Sequence, residues 1–456
     1  MNIGSEMQEI SSNNKRIAKN TLLLYFRMLV TMAVSLYTSR VVLNILGVED
    51  FGIYNVVGGI VAMFGFINGS MTSATQRYLT FELGQNNRAQ LTKVFSTSLS
   101  IHGIISFLII VLAETVGLWF LWNKMQIPAD RMNAAFWVFQ CSVAASVIMI
   151  MSVPYNAAII AHERMSAFAY ISIIEVSLKL LIVCFLRYFH TDKLILYAAL
   201  IVIVQFLIRL CYSWYCNRHF NETKYRWSWD KGLFKEMTGF ASWNMFGSLA
   251  AITFTQGLNL LLNMFFGPVV NAARGIAVQA QTAIGQFSSN FQTALNPQIT
   301  KSYATGDMEY MHGLIFRSAK FSFFLLLLLS LPVLIETKAI LTLWLKIVPD
   351  HTVVFLRIML CTTWVYAVSN PLITAASATG KIKLYQSVVG GLLLLILPIS
   401  YLCLRFGLPA YSVFIVHLVI EITAQFARLL MLKRMIKLSL REYFSKVVWC
   451  IFKVTA

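Results

Sequence analysis

Apolar runs long enough to cross a bilayer recur along this chain, separated only by short polar connections. A membrane-spanning helix needs about 20 predominantly apolar residues. About twelve such spans can be placed, at 20–44, 51–72, 92–122, 134–160, 165–188, 194–216, 239–265, 269–296, 314–336, 352–378, 383–404 and 408–432. The 456 residues are 58% hydrophobic and only 12% charged, against about a quarter charged in soluble domains. Hydrocarbon offers no water to backbone N–H and C=O groups, so apolar spans of this length must be helices. The chain therefore reads as an all-α polytopic integral membrane protein. The longest polar connections, 73–91, 217–238 and 297–313, are too short to hold a soluble domain.

A net charge of +18 would suit nucleic acid if it formed one patch, but its distribution points to topology. With the N-terminus in the cytoplasm, cytoplasmic segments carry 23 Lys and Arg, counting Lys93, Arg317, Lys320 and Lys383 at the cytoplasmic ends of the flanking spans. The outer loops carry 7, namely Lys124, Arg131, Arg187 at a span end, Lys193, Lys338, Lys346 and Arg405, and the other 7 lie deeper within spans. This bias is the positive-inside pattern. It places both termini in the cytoplasm and excludes nucleic acid as a partner. The first residues, MNIGSEMQEISSNNKRIAKN, lack the apolar core and cleavage site of a secretory signal. Of the 7 cysteines, Cys141, Cys184, Cys211, Cys216, Cys361 and Cys403 sit in or near spans with no C-x-x-C pair. They read as small packing residues, with no disulfide, metal or cofactor expected.

Spans 1–6 and 7–12 share a plan. Span 4 has Ser152 and Pro154 ahead of Ala157 and Ala158, and span 10 has Ser369 and Pro371 ahead of Ala375 and Ala376. The loops after spans 2 and 8 align Gln76 with Gln298, Phe81 with Tyr303 and Gly84 with Gly306. An even separation of six spans implies parallel repeats: two six-helix lobes about a pseudo-two-fold axis normal to the membrane, with a site at their interface. The expected division is a cytoplasmic N-terminus 1–19, an N-lobe 20–216, an inter-lobe linker 217–238, a C-lobe 239–434 and a tail 435–456. In the linker, Trp227, Trp229 and the lysines would lie at the lipid surface. Pro154 and Pro371 each free a carbonyl one turn earlier and are the hinge candidates, with a static kink as the plainer alternative.

One span breaks the apolar rule. From Asn271 to Gln298 the chain reads NAARGIAVQAQTAIGQFSSNFQTALNPQ. At 100° per residue, Gln281, Ser288 and Gln292 fall within about 40° of Arg274, and Thr282, Gln286, Asn290 and Thr293 widen that arc. Ile276, Ala280, Ile284, Phe287 and Leu295 take the other side. Such a polar face cannot meet acyl chains, so it is expected to line a wet cavity. A helix lying on the membrane surface would fit the pattern too, but would reverse the orientation of every later span.

Charges at membrane depth are functional candidates by default. Arg27, Arg40 and Arg274 are the cationic ones, and Lys179 pairs with Glu175 one turn away. Arg209, Arg357 and Arg428 lie near enough to a span end to snorkel to the interface. Glu114, Glu175 and Glu421 are the candidates for coupling to protons or sodium. Surplus cations with Gln, Asn, Ser and Thr suit a hydroxyl-rich anion, since the planar fork of Arg pairs with phosphate oxygens.

Three stretches carry a resemblance: NILGVEDFGIYNVVGGIV (Asn44–Val61), ATQRYLTFELGQNN (Ala74–Asn87) and NAARGIAVQAQ with SSNFQTALNPQITKSYATGD (Asn271–Asp307). They resemble bacterial polysaccharide-biosynthesis membrane proteins, the Wzx-like flippases of the multidrug/oligosaccharidyl-lipid/polysaccharide (MOP) exporter superfamily. The resemblance covers nearly the whole chain. It implies a MATE-like fold of two six-helix lobes with alternating access. It also implies a lipid-linked (undecaprenyl-pyrophosphate) oligosaccharide substrate, turned across the inner membrane for O-antigen, capsule or exopolysaccharide synthesis. Cavity arginines engage the diphosphate in related flippases, a role that would fall here to Arg27, Arg40 and Arg274. The implied surroundings are membrane lipids, a glycan polymerase and other assembly proteins, with the flippase itself a monomer. Some members have fourteen spans, and REYFSKVVWCIFKVTA reads either as a surface tail or as the start of a further span. A drug or cation antiporter of the same superfamily is the nearest rival, but residues 20–44 contain no Asp or Glu. A membrane glycosyltransferase or polymerase is the rival of another class. Glu49-Asp50 imitates an acidic metal pair, yet no further ligands accompany it and it reads as a polar turn. No Walker motif is present, and the chain is not expected to be an enzyme.

Overall fold

The computed structural model describes residues 3–62, 65–123, 125, 127–186, 188–189, 191–224, 230–345 and 348–455. Trp227, Trp229, Lys124, Arg187 and Lys346 lie outside these residues. Two compact units divide the chain, Met1–Ala241 and Ser242–Ala456. In order, the helices are α1 (Ile3–Ala62), α2 (Gly65–Gly84), α3 (Arg88–Leu112), α4 (Leu118–Asn123), α5 (Met132–Ala161), α6 (Met165–Leu186), α7 (Lys193–His219) and α8 (Lys231–Thr305). Then follow α9 (Met308–Ile335), α10 (Thr337–Leu345), α11 (Thr352–Ala378), α12 (Lys383–Leu394), α13 (Ile396–Arg405), α14 (Ser412–Met435), α15 (Leu440–Tyr443) and α16 (Trp449–Thr455). The fold is all-α, with no strand among the described residues.

Ten helical segments among the described residues are long and apolar enough to span a membrane. Of the other two expected spans, 51–72 includes residues 63–64, which are not described, and 269–296 is helical without the apolar character. Large apolar side chains stay exposed on these helices, among them Phe107, Leu328 and Phe426. In a chain of this hydrophobicity they are the lipid-facing surface, because apolar area of that extent would drive association in water. Inside each unit an apolar core holds the helices together. Val57, Leu121, Val138 and Phe139 belong to that of the first unit, and Leu262, Phe355, Leu356 and Val413 to that of the second.

The expected spans 1 and 2 do not separate by a loop. α1 runs continuously through both and bends at Gly47 (φ 82°, ψ 172°), and α8 bends in the same way at Gly267 (φ 80°, ψ −173°). That backbone region is open essentially to glycine alone, so both bends are encoded by a residue type rather than by packing. The two glycines define the internal repeat better than the loop residues do. Counting from them, the left-handed residue after α2 is Asn86 (φ 55°) and the one after α8 is Gly306 (φ 78°). Gly84 is therefore not the partner of Gly306, and the expected alignment shifts by two residues. The next residue in each unit caps a helix: Asn87 accepts from the Gln90 N–H and Asp307 from the Tyr310 N–H.

Proline breaks are handled in two ways. Pro154 and Pro371 sit inside α5 and α11, which continue through them. Pro398 removes the N–H that would bond to Leu394, and the expected span 383–404 is split there into α12 and α13. Of the tail, Tyr443 and Val447 are buried whereas α16 buries no residue.

At one end of the first unit an arginine gathers three segments. Arg131 donates from Nε to Asp50 Oδ1 at 2.9 Å, from Nη2 to Asp50 Oδ2 at 2.6 Å and from Nη1 to Asp192 Oδ2 at 2.7 Å. Asp50 follows the Gly47 bend, Arg131 precedes α5, and Asp192 caps α7 by accepting from the Leu194 and Ile195 N–H groups. Asp50 is thus an ion-pair partner, consistent with the polar-turn reading of Glu49-Asp50. Partial burial disfavours the Asp192 carboxylate, but hydrogen bonds from Arg131 and from the helix N–H groups outweigh it and hold its pKa below the usual value. A carboxyl depressed in this way stabilises the fold above the ordinary Asp range and stops doing so as pH falls through its folded value. Asp192→Asn should lower the thermal midpoint only slightly, since a half-exposed ion pair contributes about 0–1 kcal/mol. Asp192→Ala loses the cap as well, a further cost of about 1 kcal/mol. Melting of the two variants between pH 7 and pH 3 should show the wild-type advantage over Asp192→Asn disappearing below about pH 4.

Candidate functional site

The polar stretch forms the second half of α8, where its two faces separate as the helical period requires. Ile276, Ala280 and Ile284 pack onto the apolar core of the second unit. Gln281, Thr282, Gln286, Ser288, Ser289 and Gln292 line a cavity of about 370 Å³ lying within that unit. The opposite wall comes from α11, with Thr362, Thr363 and Tyr366, and from α14, with His417, Glu421 and Arg428. Gln281, Gln286 and Gln292 therefore face a cavity.

Two of these amides are also bound to main-chain carbonyls of α11. Gln281 Nε2 donates to Met359 O at 3.1 Å and to Thr363 Oγ1 at 2.8 Å. Gln292 Nε2 donates to Ala367 O at 2.9 Å and to Ser322 Oγ at 3.0 Å. Ala367 lies four residues before Pro371, so its carbonyl is the one that the proline deprives of an N–H. Gln292 supplies the missing donor. Gln286 is exposed and Ser288 Oγ, though buried, has no hydrogen-bond partner. These two are the wall groups most available to a solute.

The charged groups of the cavity sit on one face of α14. His417, Glu421 and Arg428 fall within about 40° of one another at helical spacing. Arg428 Nη1 donates to Glu421 Oε1 at 2.7 Å and to Ser369 Oγ at 3.0 Å. Ser369 in turn donates to Gln425 Oε1 at 2.6 Å. Arg428 and Glu421 are 2% and 4% exposed, so Arg428 does not snorkel, contrary to the expectation from its place near a span end. Its charge is cancelled by Glu421, and this wall carries no surplus cation. His417 and Arg428 were legible in principle, since H-x3-E-x6-R on a helix aligns all three groups. Taken singly, only Glu421 stood out.

The remaining charges are mostly committed to the protein. Arg274 does not line the cavity. It is 8% exposed and reaches back across the Gly267 bend, with Nη1 to Asn259 Oδ1 at 3.1 Å and Nη2 to Thr255 O at 2.7 Å. Arg27 lies over the Phe168 ring at 4.5 Å and donates to Ser172 Oγ at 3.4 Å, whereas Arg40 is exposed. Lys179 pairs with Glu175 at 2.6 Å, and Gln205 donates to the same carboxylate. Glu114 is exposed in a π-turn after α3 and accepts from Gln140 Nε2 at 3.1 Å. Arg209 donates to Met151 O in the turn that Pro154 interrupts, so it too points inward instead of to the interface. Arg357 is exposed and binds Thr337 Oγ1 at 3.0 Å and Ile335 O at 3.3 Å, closing the end of α9. No group of three or more potential metal ligands occurs among the described residues.

Residues 17–303 match the family model described as Polysaccharide biosynthesis protein. A search of curated proteins returns no match. Among solved structures, the chain is similar to an outward-facing multidrug resistance MATE family transporter of the MOP superfamily, with TM-score 0.80 and 12% identity over 93% of this chain and 96% of that one. It is similar to a MOP superfamily transporter from Pyrococcus furiosus, described by the reversed polarity of its binding pocket, with TM-score 0.79 and 13% identity over 93% and 96%. A Vibrio cholerae MATE transporter in its bent form gives TM-score 0.76 and 16% identity over 96% and 99%. Likeness at these identities establishes the fold.

The Gln292 contact has a checkable consequence. Gln292→Leu strands a buried carbonyl and should cost about 1–3 kcal/mol. Pro371→Ala restores an N–H to Ala367 O, so Gln292→Leu should cost less in that background. Thermal midpoints of the two single variants and the double variant measure the coupling. Additive losses would show that the amide does not serve the proline break.

Proposed function

Because this chain belongs to the polysaccharide biosynthesis protein family, we propose that it turns undecaprenyl-pyrophosphate-linked oligosaccharide from the inner to the outer leaflet of the bacterial cytoplasmic membrane. It is a multi-pass membrane protein with the fold of MOP-superfamily transporters, and family and fold together point to transport. The observation that carries the flippase reading is the wall of Gln281, Gln286, Ser288, Ser289 and Thr363 around one buried arginine. A glycan entering from water must replace each hydrogen bond it loses, and amides and hydroxyls supply both donors and acceptors. About 370 Å³ equals on the order of a dozen waters at liquid density, enough to shelter the sugar-phosphate end of a headgroup while the polyprenyl tail stays in lipid. Binding need only favour one of two states close in energy to shift their balance. Arg40, exposed, and Arg27, half-buried, are the first unit's candidates for the diphosphate. Both termini lie in the cytoplasm in this reading, and the protein works as a monomer beside the polymerase that receives its product.

A second reading is a drug or cation antiporter. Glu421 and His417 on the cavity wall favour it, as does the multidrug description of the first transporter above.

Reconstitution separates the two. Vesicles holding the purified protein and a labelled lipid-linked oligosaccharide, without nucleotide, should lose outer-leaflet glycan to the lumen faster than protein-free vesicles, with the lipid's mass unchanged. Gln286→Leu should slow transfer by about five-fold, equivalent to one hydrogen bond of about 1 kcal/mol. Transfer no faster than in protein-free vesicles, together with proton-driven efflux of a lipophilic cation dye, would establish the antiporter. A changed lipid mass would mean an enzyme.

A further inference from the structure

The Arg428–Glu421 pair has a feature that a purely structural ion pair does not need: both partners line a cavity large enough for a solute. Arg428 keeps its proton at any physiological pH, whereas a carboxyl can be neutralised by one proton. Only one contact holds the pair, Nη1 to Oε1 at 2.7 Å. The two-pronged geometry in which a guanidinium grips a carboxylate or phosphate is not formed, and Arg428 Nε has no hydrogen-bond partner, although the Tyr385 hydroxyl lies beside it. Ser369 holds the same Nη1 independently of Glu421, and Gln425 holds Ser369 and is itself tied to the Tyr443 hydroxyl at 3.2 Å. The guanidinium would therefore keep its place if Glu421 let go.

We infer that Arg428 is a seat for a phosphate-type anion, that Glu421 occupies it at rest, and that protonation of Glu421 vacates it. The inference rests on the flippase reading of the same cavity. Charges balance throughout: the carboxylate takes up one proton and becomes neutral, no covalent bond changes, and one oxygen anion of the ligand replaces it beside the guanidinium. A buried arginine left without a counter-charge is strongly disfavoured. Proton uptake and anion binding are thus each unfavourable alone and favourable together, which is a reciprocal coupling between two ligands. His417, one turn before Glu421 on the same face, lies on the cavity wall where it can hand on the proton. The other titratable or charged groups acting on this cluster are Tyr366 from α11, Tyr385 from α12 and Arg274 from α8. Of these only Arg274 is a fixed charge.

Equilibrium binding of inorganic pyrophosphate and of farnesyl pyrophosphate to the full chain in nanodiscs, between pH 5 and pH 8, tests this. Comparing wild type with Glu421→Gln at each pH cancels the titration of the ligand. The expected result is that Glu421→Gln binds at least ten-fold tighter than wild type at pH 8, with the ratio falling as the pH is lowered. The neutral double variant E421Q/R428Q should stay folded and lose binding. Equal or weaker binding by Glu421→Gln at pH 8, retained affinity in a folded double variant, or no pyrophosphate binding by any form overturns the inference. Should Glu421→Gln fail to give a monodisperse protein, calorimetry of the wild type in two buffers of different ionisation enthalpy decides. After correction for the ligand's own protons, uptake near one proton per anion supports the switch, and zero overturns it. Tighter binding of the farnesyl ligand assigns the anion to a lipid headgroup and equal binding to a free anion, both in support. Glycan transfer by Glu421→Gln with an unchanged pH profile would sink the switch and leave the flippase standing. Absent transfer by a wild type that still shows pH-gated binding would do the reverse.

Discussion

A carbonyl that loses its helical N–H inside a membrane has no water to turn to, and much of this structure follows from that. Gln292 serves Ala367 O below Pro371, Arg274 serves Thr255 O across the Gly267 bend, and Arg209 serves Met151 O beside Pro154. Each of these side chains, taken alone, looks like a substrate ligand. Each instead bonds to the main chain, and for Gln292 the acceptor is the carbonyl that Pro371 deprives of its helical donor, which is how irregular backbone is tolerated at membrane depth.

That use of polar side chains narrows the functional surface. Once the structural donors are set aside, the second unit's cavity is left with Gln286, Ser288 and neighbouring hydroxyls, facing the Arg428–Glu421 pair and His417. The wall sets these polar groups among apolar side chains such as Phe254, Leu326 and Leu393 and, with the pair closed, carries no net charge from it. In the flippase reading its amides and hydroxyls would meet sugar hydroxyls directly. It offers charge to an anion only if the pair opens, so selectivity and proton linkage would arise from one contact. The same carboxylate keeps the cation-transport reading alive.

The two units are built with the same devices and filled differently. Both carry a glycine bend with extended ψ, a left-handed residue after the following helix, and an Asn or Asp cap on the next one. Counted from those bends, the buried Ser318 and Ser322 of the second unit stand where the first has Ser98 and His102. Ser322 holds Gln292 at 3.0 Å, whereas His102 Nδ1 bonds back to Ser98 O at 2.7 Å and its Nε2 has no partner. Equivalent positions have thus been given different polar work.

Apolar run length, the sign of the loops and the 3.6-residue period were enough to establish an all-helical membrane chain with one polar face turned from lipid, because each depends only on local composition and spacing. Gln281, Gln286, Ser288 and Gln292 were legible on that basis. Tertiary structure alone decided which of them are occupied by carbonyls, since the acceptors Met359 O and Ala367 O belong to a helix some eighty residues away. It also decided the sign of the cavity. A count of intramembrane charges shows an excess of arginine, but whether a charge is free depends on what lies within hydrogen-bonding distance in space. Glu421 lies on Arg428, and no property of either residue in the linear chain required it to.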